Sequence, residues 1–116
     1  MERFLQAMSL PDEADRLSAV TPLVHASLLT SDGSDFSWNY REFHYEAALA
    51  SASGYLPLEV VEVHRGSLVT LGLGATAERG RVDKYFLRSI GGRRAPVHVF
   101  FPESGGPPLV VNFSSL

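Results

Sequence analysis

The sequence predicts an α+β domain of the ferredoxin-like type. This is a split βαβ sandwich in the order βαββαβ, with one extra C-terminal strand and an N-terminal helical segment. Three observations lead there. Apolar residues recur at helical spacing over residues 36–50 and again at Val82, Phe86 and Ile90. Runs rich in Val, Leu and Phe at 22–30, 57–73 and 96–113 have strand character. Glycine- and proline-rich breaks separate these segments. Right-handed crossovers would place both helices on one face of a mainly antiparallel sheet. All 116 residues are expected to form one domain, with a helical segment over 1–18 and an α+β core over 22–113.

The first segment should be helical in two short pieces broken at Pro11, with Phe4, Leu5, Met8 and Leu17 as its apolar contacts. Asp12, Glu13 and Asp15 follow the proline, where a new helix's unpaired N–H groups and dipole favour acids. Residues 22–30 are expected as the first strand. The loop at 31–35 doubles as a helix start, with Ser34 or Asp35 able to cap free N–H groups. From there Phe36, Tyr40, Phe43, Ala47 and Ala50 line one helical stripe, and Gly54 suits a left-handed C-terminal cap. Trp38 and Tyr45, seven apart, define a second stripe on the same helix.

Residues 58–63 and 67–73 are expected as a hairpin whose tight turn is Arg65-Gly66. Thr76 can cap a second helix over about 77–90, with Val82, Phe86 and Ile90 inward and Arg79, Lys84 and Arg88 outward. Gly91-Gly92 ends it. Residues 96–101 and 109–113 form a closing strand pair around the turn-rich loop 102–108.

Composition narrows function mainly by exclusion. Hydrophobic residues make up 45% and charged residues 20%, as in ordinary globular domains, which excludes a disordered tail, a fibre or a coiled coil. There is no cysteine, so disulfide scaffolds, thiolate metal sites and cysteine nucleophiles are excluded. The N-terminus lacks the pattern of a signal peptide, and no apolar run approaches the ~18–20 residues that span a bilayer. A cytoplasmic protein without membrane contact is expected. Charge is unevenly spread. Residues 1–63 carry ten acids against three arginines (net −7), and residues 64–116 carry seven bases against three acids (net +4). Such a dipolar chain can associate head to tail or take an acidic partner.

Candidate chemistry is sparse. Gly72-Leu73-Gly74-Ala75-Thr76 could cradle an anion between a strand and a helix, but it lacks the phosphate-loop lysine and reads more simply as a flexible turn. His25, His44, His64 and His98 fit no local metal spacing. His25 and His98, if on neighbouring strands, could bind a metal with a carboxylate such as Glu46, and an enzyme would need His25 with His98, or His64 with Glu62, to converge in a pocket. Glu42 and Glu46 share a helical face, but His44 points away from both. No serine sits in a nucleophile elbow. Arg79, Arg81, Lys84, Arg88, Arg93 and Arg94 on and after the second helix make nucleic acid the alternative partner. No cofactor and no metal are expected.

The leading expectation is a non-enzymatic adaptor or regulatory module that binds another protein or itself as a homo-oligomer. The apolar C-terminal strand would lie at an open sheet edge. Its contacts would be Trp38, Tyr45, Val110 and Asn112, with Arg79, Arg81 and Arg88 as the charged surface.

Overall fold

A computed structural model describes residues 1–72 and 74–116 of the chain. Helices fill the first half and strands the second, so the expected βαβ alternation is absent. Helix α1 (Glu2–Met8) buries Phe4, Leu5, Ala7 and Met8, the i, i+1, i+3, i+4 pattern of one face. Helix α2 (Glu13–Val20) begins at Asp12, whose carboxylate accepts from the Asp15 N–H at 3.0 Å. The break at Pro11 and the acidic first turn therefore fall where the sequence places them. Helix α3 (Trp38–Tyr40), a π-helical stretch (Arg41–Tyr45) and α4 (Glu46–Leu49) follow one another without interruption. Two short turns, Thr21–Leu23 and Ala26–Leu28, replace the strand expected at 22–30. Pro22 has no N–H to give a ladder. The His25 ring nitrogen Nδ1 accepts from the Ser27 N–H, closing a local turn that competes with strand pairing. Only single bridges survive there, Val24 to Val110 and Leu29 to Phe36.

The strands are β1 (Val60–His64), β2 (Leu68–Leu71), β3 (Glu78–Arg88), β4 (Arg94–Pro102) and β5 (Leu109–Asn112). All pairings are antiparallel. β4 lies between β3 and β5, while β1 and β2 both lie along the other side of β3. The α+β class and the antiparallel sheet are as expected. The ferredoxin-like strand order is not what forms, and two expected elements are corrected.

The expected second helix is β3, the central strand. Val82, Phe86 and Ile90 are spaced by four, which is close to one helical turn and also two strand repeats, so the spacing satisfies both geometries. Pairing on both sides decides the matter: β3 meets β4 from Gly80↔Pro102 to Arg88↔Arg94, and β1 and β2 on its other side. The expected hairpin at Arg65-Gly66 is also absent. Val63 faces Tyr85 and Leu68 faces Arg81, so β1 and β2 run in the same direction along one neighbour. Together they are a single edge interrupted at 65–67.

The core lies between the helices and one sheet face. Leu87, Ala95, Val97, Val99 and Val110 meet the buried residues of α1 and Val20, Phe36, Tyr45 and Tyr55. An aromatic cluster joins the layers: Phe36 stacks on Tyr45 at 4.5 Å, and Phe113 meets Phe4 and Tyr40 at 5.1 Å each. Polar ties reinforce it. The Tyr40 hydroxyl accepts from the Phe113 N–H at 2.9 Å, and Arg16 Nε donates to the buried Tyr45 hydroxyl at 2.7 Å. Burial raises the Tyr40 phenol to about 12, only partly offset by that N–H. Gly80 is required where β3 crosses Phe100. A Cβ there would stand 2.3 Å from the Phe101 carbonyl oxygen and 2.6 Å from the Phe100 ring.

Candidate functional site

The β1–β2 edge is where sequence and solvent exposure disagree. Val-Val-Glu-Val in β1 and Leu-Val-Thr-Leu in β2 have the near-continuous apolar character of strands covered on both faces. The helical layer stops short of them. Leu68 is 56% exposed and Val63 43%, and Val60 and Val69 are exposed as well. Register puts these residues on both faces. Val60, Val63 and Leu68 oppose Leu87, Tyr85 and Arg81, on the helix side, whereas Val69 opposes Gly80, on the other. Isolated exposed apolar residues are ordinary, but a row of them along a free edge is not.

Asp83 holds the break in this edge. It is 1% exposed, and its carboxylate accepts from the Gly66 N–H and from Arg81 Nε, each at 2.9 Å. Burial alone would raise its pKa. The Arg81 and Gly66 hydrogen bonds outweigh that and hold the carboxyl below the usual range. Only glycine fits at 66, since a Cβ would stand 1.9 Å from the Val82 carbonyl oxygen. The clamp therefore lets β1 and β2 stay in line instead of turning away.

The residues singled out from sequence are scattered. Trp38 is 72% exposed on the helix surface. Tyr45 and Val110 are buried in the core and offer a partner nothing. Asn112 lies on β5, and its side chain accepts from the Ser114 N–H. β5 ends the sheet as expected, but Val24 bridges Val110 and the His25 N–H donates to the Val110 carbonyl, so that edge is partly closed. Arg79, Arg81 and Arg88 lie on a strand. They face Glu103, Asp83 and Glu59, and Arg94 faces Glu62. These arginines are ion-paired along β3 and β4 instead of lining one helix face.

His64 Nε2 does meet Glu62 Oε1, at 3.2 Å, but on the exposed edge. Burial lowers the His98 pKa, with nearby Lys84 adding to the effect, and its Nδ1 is buried without a partner. Among the described residues no group of three or more His, Asp or Glu side chains is placed to hold a metal. No helix of the described residues is long and apolar enough to cross a membrane. The expected anion cradle at 72–76 includes Leu73, which lies outside the described residues.

The partners of His25 escaped the sequence: it lies between Ser27 and Glu78 in a cleft at the start of β3. Glu78 is 53 residues from His25, and no local spacing announces it. The chain matches no family model, no curated protein and no solved structure.

Proposed function

We propose that this chain is a protein-interaction module that pairs with a second copy of itself, edge to edge, through residues 60–71. The supporting observation is the β1–β2 edge, which is apolar on both faces yet wet on both. An antiparallel pair about a two-fold axis between Arg65 and Gly66 is self-complementary. It sets Val63 opposite Leu68 on the helix side and Glu62 opposite Val69 on the other, so no like charges meet. Main-chain hydrogen bonds would supply affinity, and Val63 and Leu68 of the two copies would close over one another on the helix side. This keeps the expectation of a self-associating module but moves the contact from β5 to the opposite edge.

Sedimentation and light scattering test the assembly. A mass near twice 12.7 kDa is expected for the parent, falling to the single-chain value in L68K/V69K with an unchanged far-UV spectrum. The absence of cysteine makes the register checkable. A mixture of V63C and L68C chains should form a mixed disulfide dimer faster than either chain alone forms a homodimer. A parent that stays monomeric at millimolar concentration, or a dimer indifferent to both lysines, would overturn the proposal.

A further inference from the structure

The cleft at the start of β3 adjoins the end of that edge and shares Leu71 with it. His25 is buried, and its ring meets Phe100 edge-on at 5.3 Å. Its Nδ1 lies 2.8 Å from Ser27 Oγ, and its Nε2 lies 3.0 Å from Glu78 Oε1. The Ser27 backbone N–H also reaches Nδ1, at 3.1 Å. An amide N–H can only donate, so Nδ1 carries the lone pair and Nε2 carries the proton given to Glu78. The imidazole is therefore held with its basic nitrogen toward a serine hydroxyl and its N–H toward a carboxylate. That is the polarity by which a serine becomes a nucleophile. All three residues line one cleft of about 290 Å³, walled by Leu71, Gly72 and Thr76. Ser27 itself is exposed, so a reacting group can reach it.

We infer that Ser27 is an activated nucleophile that transfers a small acyl group from an activated ester to water. Ser27 Oγ forms a bond to the acyl carbon, and its proton passes to His25 Nδ1. The bond from that carbon to the leaving oxygen then breaks, and His25 returns the proton to the departing alcohol. A water molecule adds to the acyl-serine with His25 again taking the proton. The carboxylic acid leaves as Ser27 recovers its hydrogen. Glu78 is a positioning residue: it fixes the ring and supports the imidazolium that forms in each half. A cleft of this size, with Leu71 and two small or short-chain neighbours as walls, suits an acetyl- or propionyl-sized group.

The same hydrogen bonds close the turn at Ala26–Leu28. A role confined to that turn explains the geometry but predicts an unreactive serine, which makes the two separable. Diisopropyl fluorophosphate is the probe, read by intact mass and peptide mapping. The expected result is a single adduct on Ser27, absent in S27A. That variant keeps the amide donor to His25, and its far-UV spectrum should not change. E78Q should slow labelling at least about tenfold, and E78D should restore part of the rate. No adduct after prolonged exposure, equal labelling of S27A, or an E78Q rate equal to the parent's would each overturn the inference.

Discussion

Removing the Asp83 carboxylate should cost far more than its single position on the strand suggests. Two charge-assisted hydrogen bonds end on it, one from the Gly66 N–H and one from Arg81 Nε, both at 2.9 Å. In Asp83→Ala the Gly66 N–H loses its acceptor beside β3, which costs about 1–3 kcal/mol. The Arg81 side chain is 36% exposed and sits over the Phe101 ring, so water replaces much of what it loses, leaving a cost under about 1 kcal/mol. The sum is about 1–4 kcal/mol. With an m-value of roughly 2 kcal/mol per molar urea, the midpoint followed by far-UV circular dichroism should fall by roughly 1 M. Asp83→Asn keeps an acceptor oxygen and should lose only about 1 kcal/mol.

The pH dependence separates charge from shape. The folded carboxyl titrates below the usual aspartate range despite its burial, and the unfolded one near ~3.9. As pH falls, the unfolded chain binds this proton first. The charge contribution is therefore complete above about pH 5 and is lost as pH falls through the folded value. The stability gap between the parent and Asp83→Asn should narrow over that window. A gap that stays constant or widens on acidification, or an alanine variant within about 0.5 kcal/mol of the parent, would refute the clamp.

Other consequences can be checked on the same purified protein. Gly80→Ala should destabilise by about 3 kcal/mol, because the Phe101 carbonyl in the way is backbone and cannot yield; thermal unfolding reads it. Tyr40→Phe should cost about 1 kcal/mol at neutral pH. Because the folded Tyr40 phenol sits at about 12 and an unfolded one near ~10, the parent should also lose stability as pH rises from ~10 through 12, a slope the variant lacks. Tyr45→Phe removes the oxygen that Arg16 Nε bonds and should lower the urea midpoint by the equivalent of about 1 kcal/mol. Trp38→Ala should change stability by no more than about 0.5 kcal/mol, since its ring is mostly in water.

Local chemistry was legible wherever a residue acts on its own neighbours. The acids after Pro11 open α2 and the apolar spacing of 36–50 forms helix, while Gly91-Gly92 ends a segment as expected, but a strand and not a helix. Burial within that helix was not legible. Trp38 and Tyr45 share a stripe by ideal helical spacing, yet one is in solvent and the other in the core. The π-helical stretch at Arg41–Tyr45 lies between them and shifts that register, and Arg16 with Phe36 supplies the pocket for Tyr45. The candidate sites show the same division. The apolar runs of 60–71 are plain in the sequence, but their placement as an uncovered edge depends on where the helices end. Ser27 lies beside His25 in the chain, but Glu78 reaches them only once β3 is laid down.

What the sequence determines by itself is the class: enough apolar residues for a core, turn signals between segments, antiparallel strands at the C-terminal end and no thiol chemistry. Tertiary structure decided the identity of residues 78–88. Spacings of four satisfy helix and strand alike, and a strand wins only when neighbours on both sides pair its N–H and C=O groups. It also decided that Arg65-Gly66 continues an edge rather than turning a hairpin. The deciding acceptor is the Asp83 carboxylate, 17 residues away, a contact that no local pattern encodes.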